Sequence, residues 1–330
     1  MSITGTLGNQ GANALVQRAC TIVVGFPSSD RGLRIDCGNG VGLDVSFRIQ
    51  RGLHTTQASL KPQPNTCDLS IHGLNESHRK LLAKATTTST GTAAQVPASG
   101  AAGAVSAVVP CIITAGYQQR QTVLFSGELR AAQNTGDIPN IVTELSSGDG
   151  DTAITQSRLN LAIAPGATMS QVVQQVFTAF GSSVQPGNLQ KALAQFQASP
   201  QAAKLFAKGA TLKGSAAEIL SDLCRSIGAQ WSVQNGALQI LPLGEPLAGT
   251  ATVVDEAHGM VGTPTVDTKG VATIKTLMLP SVIPGSLIQL TSRNATGFYR
   301  VIGLAVEGDT SVGSNTWGME LNATRLATAP

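Results

Sequence analysis

The chain has 330 residues, with 22 Lys and Arg against 19 Asp and Glu and a formal charge of +3. That length allows two or three domains with real cores, and a near-neutral chain without a dense basic run excludes a dedicated nucleic-acid-reading surface. Charged residues make up 12% and aromatics 4%, while small and β-branched residues abound, which excludes coiled coils and charged disordered tails. From Cys20 to His72 four strand-like runs follow one another: CTIVVGF, LRIDCG, LDVSFRIQRG and CDLSIHGL. In the third, Leu43, Val45, Phe47 and Ile49 alternate with Asp44, Ser46, Arg48 and Gln50, the period of a strand with one buried face. Asn75, Glu76 and the Leu81-Leu82 pair predict a capped helix. The uncharged Thr86–Ser106 tract predicts a mobile inserted loop. Strands resume at AVVPCIITAGY and TVLFSGELRAAQN, and IVTELSSGDGD closes a first all-β unit, residues 1–150, a barrel or sandwich with one helix across it.

From Arg158 the texture changes. RLNLAIAPG predicts a strand and turn, and Met169, Val172, Val173, Val176, Phe177 and Phe180 recur at helical spacing up to Gly181. Residues 188–208 predict one or two Ala/Gln-rich helices broken at Pro200. Ser215 and Glu218 have capping-box spacing before a helix that Gly228 ends. AQWSVQNGALQILPL predicts a hairpin turning at Asn235-Gly236. Residues 151–247 are therefore an α/β unit. Residues 248–330 read as a second all-β unit: VATIKTLMLP, SLIQLTS, FYRVIGLAVEGDT and WGMELNA. Leu287, Gln289 and Thr291 interleave with Ile288 and Leu290; Tyr299, Val301 and Gly303 interleave with Arg300, Ile302 and Leu304. The fold class is mainly β with an α+β insert, and cores are expected around Phe47, Ile49, Leu124, Leu287 and Tyr299.

Motifs that suggest chemistry have simpler readings. GNGVG (Gly38–Gly42) precedes a strand rather than a helix, so a hairpin turn is expected and not a phosphate loop. Asp149 and Asp151 flank one Gly as in calcium loops, but the remaining acidic positions are missing, which predicts a polar interdomain loop. Gly166–Gly181 resembles the opening of a glycan-binding LysM repeat; an amphipathic core helix is the plainer reading. His54, His72, His78 and His258 lie far apart, and Glu128, Glu144, Glu218, Glu256, Glu307 and Glu320 stand isolated in polar or turn contexts. No catalytic, cofactor-binding or metal residue is assigned, and no enzyme is expected. Five scattered cysteines without CxxC, and an N-terminus lacking the charged and apolar regions of a leader, predict reduced thiols and cytoplasmic assembly. The sequons at Asn294 and Asn322 are then incidental, and no apolar run is long enough for a stable membrane insertion.

Several blocks taken together resemble the baseplate or tail hub proteins of tailed bacteriophages, the phage late-control D-like group. They are HGLNESHRKLL with ITAGYQQRQTVLFSGELRAAQN, then TELSSGDGDTAITQSRLNLAIAPGATMSQVVQQV, then GSAAEILSDLCRSIGAQWSVQNGALQILPLG, and last Gly259–Thr310 with Trp317 after it. The tract 86–106 is longer than a hairpin requires, and Gly303–Val306 lacks the charged and His residues expected of the group. The resemblance implies two tail-tube-like antiparallel β-barrels per chain, with the central α/β domain outside them. It also implies a homotrimer adapting a six-fold tail tube to a three-fold spike around the DNA channel. Implied partners are the tube protein or a distal tail adaptor, the spike, other baseplate proteins and the tape measure protein, with DNA only as non-specific cargo. The implied location is the virion tail baseplate, assembled in the host cytoplasm, with roles in tail assembly and genome ejection. The alternative is a peptidoglycan-binding or wall-degrading tail component.

Overall fold

The computed structural model describes residues 17–27, 31–38, 42–53, 62–89, 108–117, 120–197 and 206–327. The first segment supplies β1 (Arg18–Phe26), β2 (Arg31–Cys37), β3 (Val45–Gly52), β4 (Asn65–His72), α1 (Glu76–Ser89), β5 (Pro110–Tyr117), β6 (Arg120–Thr135) and β7 (Val142–Asp149). The middle supplies α2 (Asp151–Gln156), β8 (Arg158–Ile163), α3 (Met169–Thr178), α4 (Leu189–Gln197), β9 (Ala210–Ser215), α5 (Ala216–Ser226), β10 (Ala229–Gln234) and β11 (Ala237–Pro242). The last supplies β12 (Thr252–Val254), β13 (Thr265–Val266), β14 (Val271–Leu277), β15 (Leu287–Thr291), β16 (Thr296–Asp309) and β17 (Trp317–Arg325).

The first and last segments build one sheet in the order β13-β14-β17-β16-β3-β4-β7-β6-β5-β1-β2, with β15 branching from β16 and β12 pairing β15. This corrects the expectation of two separate barrels: among the described residues no closed barrel forms. The physical reason lies in β16, which is longer than β15. Beyond Arg300 its outer edge would be bare, and backbone donors and acceptors need partners. β3 supplies them, pairing Gly52–Ser46 with Gly303–Asp309 and joining the halves.

The two halves nevertheless repeat one strand order, β3-β4-β7-β6-β5 and β13-β14-β17-β16-β15, antiparallel throughout. The likeness extends to single hydrogen bonds. β6 and β16 each slip register once against the following strand, between Leu129/Ala131 and between Val301/Gly303. Just before each slip the Leu129 N–H donates to Val109 O at 2.8 Å, and the Val301 N–H donates to Ser286 O at 2.9 Å.

One apolar core serves both halves, running from Ile22, Ile49, Ile71 and Phe125 to Ile274, Leu290, Val301 and Leu321. Phe47, Ile49, Leu124, Leu287 and Tyr299 are all buried, as expected. The sheet curls until β1 meets the turn between β16 and β17 through side chains. Arg18 donates to the carbonyls of Ser314 (2.6 Å) and Asp309 (3.2 Å) and lies 5.8 Å from the Trp317 ring. Alternation holds along β3 but changes phase in β16. Tyr299 and Val301 are buried before the bulge, Leu304 and Val306 after it, and Arg300 is buried as well. The extra residue at the bulge moves every later side chain to the other face.

The central module has its own core of Met169, Val172, Val173, Val176, Leu220 and Trp231, among others. Asn235 (φ 54°) and Gly236 (φ 76°) take the two positive φ values that a type I′ hairpin turn requires. α3 begins with a full capping box, Thr168 with Gln171; at Ser215 only the Glu218 N–H bond forms, at 3.5 Å. Asn75 caps α1 as expected, accepting from the His78 N–H at 2.8 Å. That helix takes in Thr86–Ser89; the rest of the 86–106 tract lies outside the described residues, as do residues 39–41, His54 and Pro200.

Candidate functional site

The β10–β11 hairpin is where the central module meets the sheet, and the contact is polar and buried. Its turn sits on Asp149, the last residue of β7, which accepts from the backbone N–H groups of Asn235 (2.6 Å) and Gly236 (2.8 Å). Neighbouring strand ends add to it. Asn65 donates to Val233 O at 2.7 Å and accepts from the Gly52 N–H at 2.9 Å. Arg51 donates Nε to Gln234 Oε1 (2.9 Å) and Nη1 to Leu124 O (2.8 Å), and Gln234 donates to Gly52 O at 3.1 Å. The second half holds the same hairpin elsewhere: Arg300 donates to Gln230 Oε1 at 2.7 Å, and Gln239 donates to Pro284 O at 3.2 Å. The hairpin thus bridges both halves beside the β3–β16 ladder.

Burial sets the electrostatics of this seam. It pushes the Asp149 carboxyl upward, against the opposing pull of the Gly236 N–H and the Arg51 charge. Burial also draws the Arg51 and Arg300 guanidiniums down to about 10, so both stay cationic at neutral pH. Arg51 Nη2 and Arg300 Nε find no partner among the described residues. Such a network costs desolvation energy, yet removing one member strands the others, so it fixes geometry more than it adds stability.

The candidate chemical residues have mostly structural partners. Asp149 is not in a polar loop but inside β7, and Asp151 pairs with Arg130 at 2.7 Å, so the two carboxylates serve different contacts. Among the described residues no group of three or more His, Cys, Asp and Glu is placed to hold a metal. Glu128 is buried rather than in an open polar context, and accepts from the Thr152 N–H (2.8 Å) and hydroxyl (2.5 Å) at the start of α2. Burial raises its pKa. Glu144 accepts from Gln133, Glu218 opens α5, and Glu256 sits in a short turn beside His258, whose Nδ1 lies 2.6 Å from Asp255. His72 ends β4 in solvent and His78 lies in α1. Glu307 and Glu320 share one open groove with Arg48 and Lys275, a balanced cluster. The Gly166–Gly181 helix turns Met169, Val172, Val173 and Val176 into the module core. Sequence reasoning missed Arg51 and Arg300; the available signal was a charge standing in an apolar strand phase.

Solved structures with this fold come from tails and a related machine. The chain is similar to the 43 kDa tail protein of prophage MuSo2 from Shewanella oneidensis (10% identity, TM-score 0.55, covering 92% of this chain and 96% of that one). It is equally similar to a tail protein from Neisseria meningitidis MC58 (9%, TM-score 0.56, 93% and 96%). The E. coli c3393 protein, a type VI secretion component described as similar to T4 tail proteins gp27 and gp5, follows at 11% identity, TM-score 0.50, 88% and 76%. No curated protein sequence matches. The family model "Baseplate hub gp41" matches residues 34–296. With well over half of its length inside that match, the chain belongs to the baseplate hub family of phage tail proteins.

Proposed function

We propose that this protein is the central hub of a phage baseplate, three copies closing a ring that joins a six-fold tail tube to a three-fold spike around the DNA path. The observation that carries this reading is the repeated strand order within one chain. Two like halves per copy give three copies six like units above while keeping three-fold symmetry below. The halves act as tube-like units of one continuous sheet, and the central module holds their relative orientation through the buried seam. The work is structural rather than enzymatic, which suits the bonded state of Asp149, Asp151 and Glu128. A formal charge of +3 suits a channel that lets DNA slide rather than gripping it. Partners are the tube or a distal adaptor, the spike, neighbouring baseplate proteins and the tape measure protein. All five cysteines are free and buried, in keeping with assembly in a reducing host cytoplasm before residence in the virion tail. The peptidoglycan reading is not favoured, because the helix it relies on spends its apolar face on the module core.

Imaging of assembled tails tests the proposal. The expected result is three copies around the tail axis, each placing both halves next to the tube. Copies lying off that axis, or contributing one half each to the ring, overturn it.

A further inference from the structure

Each half contains a long strand that outruns its short neighbour. In the second half, β3 covers the outer edge of β16 from Gly303 to Asp309. In the first half, no strand among the described residues pairs with the outer edge of β6 from Arg130 to Thr135. At the far end of the sheet, β13 holds in the second half the place that β3 holds in the first, and it pairs with β14 alone. We propose that these two edges join between copies, the Met260–Val266 edge of one chain adding to β6 of the next by the antiparallel ladder that β3 makes with β16. This rests on the ring reading above, since a head-to-tail contact of this kind generates a ring when its rotation closes.

The in-chain ladder fixes the register between copies. Matching the bulges sets Leu129 level with Val301 and Ser147 level with Ala323. Following the partners outward sets Cys67 level with Ala272, and then Ile49 level with Val266. Ile49 faces Val306, which corresponds to Asn134. Val266 therefore faces Asn134 of the next copy, and Thr265 faces Thr135.

Side-chain exposure supports the match. Thr310 follows β16 and is 4% exposed at the in-chain junction, where its N–H donates to Val45 O and its hydroxyl accepts from the Val45 N–H, both at 2.9 Å. Counted from the bulge, the residue that matches Thr310 is Ile138, 85% exposed in the turn beyond the end of β6. The opposing edge presents Val261 and Val266, 49% and 48% exposed. Among the described residues, Ile138 on one edge and Val266 on the other are thus exposed apolar side chains that this pairing brings to the same joint.

Thr135→Cys combined with Thr265→Cys tests the register, because directly opposed antiparallel residues lie within disulfide range. Oxidation of purified protein and of assembled tails should join chain to chain only in the double variant, in a ladder ending at three. A three-fold ring imaged in the tail without that cross-link overturns this interface and leaves the hub reading standing; copies that form no ring in the tail remove the hub reading itself. Slow exchange of the outward amides of Arg130–Thr135 in a monomeric chain also overturns it, since residues of the same chain would then fill the edge. Ile138→Asp should weaken association by roughly tenfold or more with an unchanged melting temperature, whereas Ile138→Thr, copying Thr310, should keep it. Unchanged association in Ile138→Asp counts against the proposal.

Discussion

Glu128 and Arg300 occupy the same place in the two halves, each ending the short-strand ladder just before the bulge, opposite Pro110 and Leu287. Both are buried, and their charges are opposite. Glu128 takes hold of Thr152 at the start of α2, while Arg300 reaches Gln230 in β10. A shared backbone plan therefore tolerates opposite charges at one position, provided the inserted module offers the right partner to each. The difference also removes any ambiguity of fit, since the module cannot be seated the other way round without stranding both charges.

The largest effect should come from removing what lies between the halves. Arg51→Ala should cost about 3–5 kcal/mol by urea denaturation, because it strands Gln234, the Leu124 carbonyl and the buried Asp149 charge. Arg48→Ala, on the same strand but in solvent beside Glu307, should stay within about 0.5 kcal/mol. Next comes the second half's own hold on the hairpin. Gly285 has φ 94°, and a Cβ there would meet Gln239 Nε2 at 2.7 Å and Leu241 Cδ1 at 2.8 Å, so Gly285→Ala should cost about 1–3 kcal/mol. Gly270→Ala, with φ 78° but open space around it, should cost less and isolates the contact from the backbone strain.

The smallest effect is a difference in pH response. The folded-state pKa of Glu128 is raised, so the native chain binds that proton more tightly than the unfolded one. Its contribution to stability falls as pH rises from the unfolded value near about 4.3 through the raised folded value, and returns on acidification. Melting curves should therefore show wild type gaining on Glu128→Gln as pH drops from neutral. Arg300, drawn down only to about 10, keeps its charge over that range, and Arg300→Met should show no such trend. A matching trend in both variants removes the proposed contrast between the halves.

Local signals in the sequence account for most of the elements. Period-2 alternation marked β3, Asn235-Gly236 marked the hairpin turn, and Asn75 marked the start of α1, because each depends on neighbours within a few residues. Pairing between β3 and β16 was not legible, since it is decided by which distant strand completes an uncovered edge. The phase change in β16 was equally hidden: a bulge is a property of two strands, and one strand's alternation cannot announce it. Asp149 read as an acidic loop residue because its partners, two backbone N–H groups of a remote turn, leave no mark on composition. The family resemblance rested on block order across the chain and survived these local errors, because it did not depend on any one of them.

The hairpin fastened across the β3–β16 joint has a mechanical consequence. A pull on the central module arrives at both sides of the joint together, through Arg51 and Asn65 on one and Arg300 and Pro284 on the other. The load is shared instead of prising the strands apart one bond at a time.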